Sequence, residues 1–184
     1  LEKFGLEYIY PEFAAAHPFD DGTAAALRGG VEDTAETLGI DKETYRKLLN
    51  PLVNNWPGMV KDLLGPLHFP KHPIDMAAFG LNALRSATSL AGKFKSREAR
   101  GLWAGMAAHS LQPLSNLATS AFGLVLMAAG HIKGWPVAKG GSKQIANALG
   151  SYFLSIGGKI ETGIPVRTMK DIPASAVVLF DLTP

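Results

Sequence analysis

Two pairs of adjacent glycines bracket one apolar-periodic segment late in this chain, and a β-rich run follows the second pair. The pairs are Gly140-Gly141 and Gly157-Gly158. A glycine just past a helix is a common C-terminal stop, because it adopts the left-handed conformation at little cost. The pattern predicts a helix from about Ser142 to Ile156. Two strands should follow, one in KIETGIPVRTM (residues 159–169) and one in SAVVLFDL (residues 175–182).

The same glycines do not form a known phosphate-binding or nucleophile motif by themselves. Lys143 follows Ser142, whereas a P-loop needs lysine before the serine or threonine, with the spacing G-x-x-x-x-G-K-[ST]. The chain contains no G-x-G-x-x-G for a dinucleotide pyrophosphate. It also contains no G-x-S-x-G elbow for a nucleophilic serine. The first glycine pair is therefore not a self-sufficient phosphate cradle.

Composition excludes several classes of function. The net charge of +2 is small and the basic residues are scattered, which argues against a nucleic-acid partner. The absence of cysteine excludes disulfides, thiol nucleophiles and Cys-ligated metals. A length of 184 residues suits one domain or slightly more. Because the chain enters a structured pattern at Leu1 without a leader, we expect it to be a piece of a longer polypeptide.

The first 133 residues predict a mainly helical region preceded by a β-hairpin. The turn signal Asp20-Asp21-Gly22 separates the two extended runs of the hairpin. Asp41 has the position of an N-cap, and the prolines Pro51 and Pro57 predict two short helices after it. A proline-rich loop should lie at residues 65–73. Further helices are predicted over residues 74–91, from Ser96 onward, and over residues 114–129.

The segment from Leu111 to Gly130 carries no charged residue. Polar residues occupy its first half, so its apolar part is only about half of the ~20 residues that a membrane span requires. A buried helix is favoured, with a span or a shallow membrane contact as the alternative. Glycine and alanine dominate this helix and the one before it. Small side chains either permit close helix packing or leave room for a bulky ligand, and both interpretations stay open.

The histidines give no metal signature. His68 and His72 are four residues apart, but Pro70 between them makes a shared helix face improbable, and no glutamate accompanies them. We therefore predict no metal site. His109 and His131 close two apolar segments. Each is expected either to bond the last carbonyls of its helix or to line a pocket.

The order of motifs from Gly134 to Pro184 resembles one family of flavoenzymes. These motifs are W-P-x-x-x-G-G-S, I-A-N-A-L, G-G-K-I-x-T-G-x-P-V and A-V-V-L-F-D-L-T-P. The upstream stretches FDDGTAAAL, FPKHPIDMAAFGL and AGMAAHS carry the resemblance further. Together they are similar to the phytoene-dehydrogenase-like FAD-dependent oxidoreductases of the flavin amine oxidase superfamily. The N-terminal FAD fingerprint of that family is absent from this chain.

The resemblance implies an α+β fold in two parts. Residues 1–133 would form a mainly helical substrate-binding domain with a β-hairpin. Residues 134–184 would be the returning portion of an incomplete FAD-binding domain, built as helix–strand–strand. The implied activity is oxidation of a hydrophobic substrate, polyene or lipid-like, by FAD in the parent protein. This chain alone is expected to be inactive, because that cofactor carries the reaction.

The resemblance also implies roles for individual residues. Gly140 and Gly141 would approach the flavin closely, and the backbone of Val166 would contact the adenine of FAD. Trp135 and Pro136 would shape the substrate side. The pocket-lining interpretation adds His109 and His131 to the substrate-binding set, listed together as Trp135, Pro136, His109 and His131. No catalytic residue is assigned.

The partners predicted for the chain are a hydrophobic small molecule and no nucleic acid. Peripheral membrane contact and a homodimer formed through exposed strands are further predictions. The cytoplasm or a membrane periphery is the favoured location. The alternative function is a non-catalytic module that binds an apolar ligand or a membrane.

Overall fold

The computed structural model describes residues 1–66 and 68–181, which form two compact units. The central unit runs from Tyr8 to Lys139. The terminal unit combines Leu1–Glu7 with the chain from Gly140 onward. The boundary expected from the sequence fell between residues 133 and 134.

The central unit consists of six α-helices and two small antiparallel sheets among its described residues. This confirms the α+β class, mainly helical with a β-hairpin. The strands are β1 (Tyr8–Ile9), β2 (Phe13–Pro18), β3 (Ala24–Arg28) and β4 (Val137–Ala138), paired β1 with β4 and β2 with β3. The helices are α1 (Val31–Ala35), α2 (Lys42–Leu64), α3 (Pro73–Ala83), α4 (Ala87–Ala91), α5 (Arg97–Ala107) and α6 (Thr119–Lys133).

The hairpin of β2 and β3 forms where the turn signal predicted it. Gly22 has a φ of 83°, and Asp21 Oδ1 accepts a hydrogen bond of 3.1 Å from the backbone N–H of Thr23. Turns of this kind favour glycine because its missing Cβ removes the penalty for a positive φ. Inward-facing residues of the hairpin, including Leu27, belong to the core of the central unit.

Helix α2 is one helix of 23 residues, so the prediction of two short helices is wrong. Both Pro51 and Pro57 lie inside it. An internal proline costs a helix about 3 kcal/mol, because it removes a hydrogen bond and clashes with the preceding turn. Burial of a large apolar side chain contributes about 1.5–3 kcal/mol. The buried face of α2 carries several such side chains, and they offset the penalty. They are Tyr45, Leu48, Leu49, Leu52, Trp56 and Met59.

The predicted helix over residues 74–91 is interrupted between α3 and α4. The carbonyl of Leu84 accepts a hydrogen bond of 3.1 Å from Ala118 N–H, and the carbonyl of Arg85 accepts one of 3.3 Å from Ser120 N–H. Ser86 then caps α4 by accepting from Ser89 N–H. Backbone groups bonded to a distant segment are not available to continue a helix. The prediction of one helix over residues 74–91 is therefore wrong between α3 and α4.

Helix α5 begins after Ser96 as predicted, and the Ser96 side chain accepts from Ala99 N–H. Helix α6 begins at Thr119, five residues later than the predicted residue 114, and extends to Lys133. Ala118 has a φ of 64°, which is incompatible with a right-handed helix continuing through it. In residues 1–66 and 68–181, we find no helix with the length and apolar character needed to cross a bilayer.

The terminal unit contains α7 (Lys143–Ser155) and two short 3₁₀ turns, Glu2–Phe4 and Met169–Asp171. Helix α7 matches the prediction, and Gly157 ends it with a φ of 90°. The two strands predicted after Gly158 are not formed in the described residues, which end before Leu182. A strand needs a partner for its backbone groups, and the described part of this unit supplies none.

Candidate functional site

Two glycines on α5 let the hairpin approach that helix closely. A Cβ atom at Gly101 would lie 2.7 Å from the Phe19 ring, and one at Gly105 would overlap the His17 imidazole. His17 lies in β2, paired with Ala25. The position of His17 against α5 therefore depends on the missing side chain of Gly105.

The imidazole of His17 has an unusual environment. Its Nε2 atom is buried and has no hydrogen-bond partner among the described residues. Burial lowers the pKa of His17, and the neighbouring His109 lowers it further. His17 is therefore neutral at physiological pH, because both effects disfavour the imidazolium form. Because this Nε2 is enclosed and lies against Gly105, its missing hydrogen bond is a cost of close packing and not a free binding position.

His109, which neighbours His17, is also in contact with Trp135. Their rings are in edge-to-face contact, with 6.1 Å between centroids and an interplanar angle of 87°. His109 follows α5 in an exposed 3₁₀ turn, whereas Trp135 is half-buried between α6 and β4. We call His17, His109 and Trp135 the histidine–indole cluster. It combines two imidazoles with an apolar aromatic surface.

Sequence reasoning selected His109 and Trp135 but missed His17. The available signal was the alternation of side chains between the two faces of β2. Ala15 and His17 are two positions apart and therefore lie on the same face of the strand. A histidine on the inward face of a short strand is a candidate for burial. Pro136, the other residue predicted near Trp135, is exposed.

His131 is neither a helix cap nor part of this cluster. Its Nδ1 atom lies 2.8 Å from the carbonyl oxygen of Gly29, and its Nε2 lies 2.6 Å from the Tyr45 hydroxyl. A carbonyl can only accept, so Nδ1 carries the proton and Nε2 accepts from Tyr45. Burial lowers the pKa of His131 and raises that of Tyr45. Both groups are neutral and link α6 to α2 and to the turn before α1, so the capping prediction is wrong for His131.

The three residues predicted to bind cofactor lie in the terminal unit. Gly140 and Gly141 have φ values of 82° and 96° in the turn before α7. A Cβ atom at Gly141 would meet no atom within 4 Å. Glycine is therefore required here by backbone conformation and not by crowding. Val166 is 57% exposed, and its backbone forms no hydrogen bond with the described residues.

His68 has a structural role. Its Nδ1 lies 2.7 Å from the Pro66 carbonyl and its Nε2 lies 2.7 Å from Asp62 Oδ1. Both partners are acceptors, so both ring nitrogens must donate. The Pro66 carbonyl and the Asp62 carboxylate accordingly raise the pKa of His68. In the part of the chain that the structure describes, no three His, Asp or Glu side chains are placed to hold a metal ion.

The small residues of α5 and α6 serve close packing. Trp103 lies against Gly123, where a Cβ would be 3.1 Å from the indole, and Leu27 fills the space at Gly130. Of the two interpretations that the sequence left open, close helix packing is confirmed at these glycines, and room for a ligand is not found there. A cavity of about 170 Å³ lies instead beside α2, α3 and α6. Its lining includes Pro51, Asn55, Asp75 and Phe79. This volume is below the ~300 Å³ typical of small-molecule sites, whereas two more open depressions, of about 610 Å³ after α2 and about 330 Å³ beside the hairpin, reach it.

Comparison of this chain with protein-family models, with curated proteins and with solved structures finds no match.

Proposed function

We propose that this chain is the substrate-domain portion of an FAD-dependent oxidoreductase that acts on a hydrophobic substrate. The motif order from Gly134 to Pro184 suggests the family. The observation that carries the proposal is structural: the terminal unit presents an apolar helix face and extended apolar residues that its own described residues do not cover. A unit of this kind is expected where a larger domain has been interrupted.

Helix α7 carries an apolar face at helical spacing. Its members are three or four residues apart, which places them on one side of the helix. They are Ile145, Ala148, Leu149, Tyr152, Phe153 and Ile156. Only Ala148 is buried; Leu149 is 49% exposed and Ile156 is 63% exposed. Phe4 covers part of the face, with 5.5 Å between its ring centroid and that of Tyr152. An amphipathic helix gains most of its stability from a buried face, so a further partner is expected here.

The residues after Gly158 also expose apolar side chains. Ile160, Ile164 and Val166 are each at least 50% exposed, and their positions differ by four and by two, as on one face of a strand. Leu179 is 90% exposed. We interpret this segment as strand sequence whose pairing strands belong to the flavin-binding part of the parent protein.

The residues proposed to contact FAD suit a close approach of backbone to ligand. Gly140 and Gly141 present bare backbone in left-handed conformation. The backbone of Val166, which pairs with no described residue, offers one donor and one acceptor to an adenine edge. When bound, FAD would accept the hydride removed from a C–H bond of the substrate.

In this proposal the central unit supplies the surface for the substrate. The indole of Trp135 offers an apolar ring, and Pro136 beside it is exposed. His109, exposed and in edge-to-face contact with Trp135, would orient one polar group of the substrate. The remaining contribution of the chain is to position an apolar molecule and exclude water.

The test measures flavin binding by the polypeptide that the native reading frame encodes around this chain. Purified protein should carry flavin absorbance and fluorescence. The variant Gly141→Ala should lower the flavin content at least about tenfold, because its Cβ forces strain into the turn that approaches the cofactor. The matched control is Gly5→Ala, at a glycine with a φ of 85° that also has no atom within 4 Å of a Cβ and lies outside the motifs of the resemblance.

Both variants introduce the same backbone strain, so only the position of the residue differs. Flavin loss in Gly141→Ala with retention in Gly5→Ala supports the proposal. A native polypeptide that binds no flavin, or equal flavin loss in both variants, contradicts it.

A further inference from the structure

One side of the central unit presents large apolar side chains to solvent. Phe69, Ile74, Leu81, Leu84 and Leu117 are 84%, 83%, 78%, 69% and 81% exposed. We call these five residues the α3 face. Soluble chains expose single apolar residues routinely, but a contiguous group marks an interaction surface.

Four of these residues, Ile74, Leu81, Leu84 and Leu117, share one side for two reasons. Ile74 and Leu81 are seven residues apart on α3, and Leu84 follows three residues later, so all three project from one side of the helix. Leu117 belongs to the loop before α6, and Ala118 N–H donates to the Leu84 carbonyl at 3.1 Å. This bond fixes the loop beside the end of α3.

The charges around the α3 face are mostly positive. Lys71 precedes α3, and Arg85 follows it directly. The Lys93 ammonium is held at α3 by a 3.1 Å hydrogen bond to Asn82 Oδ1. None of these three cations forms an ion pair with a described residue. Asp75, the acidic residue of α3, accepts a hydrogen bond from Asn55.

We propose that the α3 face docks on an anionic lipid bilayer surface. Exposed apolar side chains rimmed by Lys and Arg are the pattern of segments that lie in a membrane interface, where the apolar groups enter the acyl boundary and the cations meet phosphate headgroups. A second copy of the chain fits less well. A two-fold interface through this face would bring the same unpaired cations together. The inference does not depend on the proposed flavoenzyme function.

The experiment measures partition of the purified chain onto vesicles by flotation. The vesicles are phosphatidylcholine mixed with phosphatidylglycerol, and phosphatidylcholine alone as the comparison. The wild-type chain should bind the anionic vesicles more tightly. Leu81→Glu should lower the partition coefficient at least about tenfold, and Lys71→Gln should lower it about fivefold on anionic vesicles only.

The control variant is Ile40→Glu. Ile40 is 69% exposed but lies in the 3₁₀ turn before α2, away from the α3 face. Because both variants retain the terminal unit, nonspecific binding by that unit affects them equally. Circular dichroism verifies that each variant is folded. Sedimentation without lipid tests for self-association.

Loss of partition in Leu81→Glu with retention in Ile40→Glu supports the proposal. Three results overturn it: no binding of the wild-type chain, equal losses in Leu81→Glu and Ile40→Glu, or a lipid-free dimer that Leu81→Glu converts to a monomer. The last result would assign the face to a second copy of the chain.

Discussion

The buried carboxylate of Asp41 connects two helices of the central unit. It occupies the N-cap position of α2 as expected, yet its side chain does not cap that helix. Asp41 is 1% exposed, and its oxygens accept hydrogen bonds from Lys95 N–H, from Ser96 N–H and from the Ser96 hydroxyl. One carboxylate thereby joins the start of α2 to the start of α5, where both helix dipoles favour negative charge.

We predict that Asp41→Ala destabilises the chain by about 3 kcal/mol. The substitution leaves two part-buried backbone N–H groups and the Ser96 hydroxyl without their acceptor. Each unsatisfied buried group costs about 1–3 kcal/mol, and water entry relieves part of this cost. The matched control is Asp33→Ala. Asp33 is exposed and accepts from Gly30 N–H at 3.0 Å, so its loss should cost about 1 kcal/mol or less. Urea unfolding measures both values.

The pH dependence of stability tests the same contact. Burial acts to raise the pKa of Asp41, but the hydrogen bonds from Ser96 and Lys95 outweigh it and leave the pKa below its usual value. A depressed folded-state pKa stabilises the fold above the unfolded pKa of about 4, and that contribution is lost as the pH falls through the folded pKa. Asp41→Asn should therefore flatten the acid limb of the stability curve. An unchanged acid limb would contradict this role of Asp41.

At the scale of elements, the contact of the hairpin with α5 depends on Gly105. We predict that Gly105→Ala destabilises the chain by about 2 kcal/mol, although alanine is the better helix former by about 1 kcal/mol. The added Cβ would overlap the His17 ring, and overpacking of this kind costs about 1–3 kcal/mol or more. The substitution should also change the NMR titration of His17.

The control for Gly105→Ala is Gly80→Ala on α3. A Cβ at Gly80 would meet no atom within 4 Å, so this variant should gain the helix propensity of alanine and become more stable by up to about 1 kcal/mol. Thermal unfolding measures both. Stabilisation by both substitutions would mean that His17 does not pack closely against Gly105.

Elements with a local signal were predictable from the sequence. The turn at Gly22, the start of α5 at Ser96 and the end of α7 at Gly157 each have a capping or turn residue that acts within a few positions. The continuity of α2 through Pro51 was not predictable, because burial of its apolar face offsets the local penalty. The break after Leu84 was also hidden, since its cause is a hydrogen bond to Ala118, 34 positions along the chain.

The candidate site likewise combines residues with a signal in the sequence and one residue set by a distant contact. His109 stands out in the sequence because it ends an apolar segment, and Trp135 through the family resemblance; the structure places their rings in contact. His17 is an unremarkable residue of a short strand until Gly105 brings α5 against it. Packing between distant elements therefore creates the part of the histidine–indole cluster that sequence patterns miss.

At the scale of the whole molecule, the two units differ in the apolar core that each possesses. The buried apolar cluster lies in the central unit, with large side chains such as Trp103, Phe94 and Tyr45 at 1% exposure. The described residues of the terminal unit bury only Leu6 and Ala148. Because apolar burial is the main source of folding free energy, the two units should differ in local stability.

We predict that hydrogen exchange separates the two units. Amides of α2, α5 and α6 should be protected about 10³-fold or more, as in a cooperatively folded core, whereas those of α7 should be protected less than about tenfold. A helix of 13 residues with an uncovered apolar face is only marginally stable in water. Mass spectrometry of peptides from the exchanged chain measures both regions in one experiment, so α5 serves as the internal reference for α7.

The same hydrogen-exchange measurement can be made on the polypeptide that the native reading frame encodes around this chain. If the flavin-binding part covers α7 and pairs with residues 159–181, their protection should rise towards that of α5, while α5 itself changes little. Protection of α7 that already equals that of α5 in the isolated chain would mean that the terminal unit is stable without a partner. The uncovered face of α7 would then no longer indicate an interrupted flavin domain.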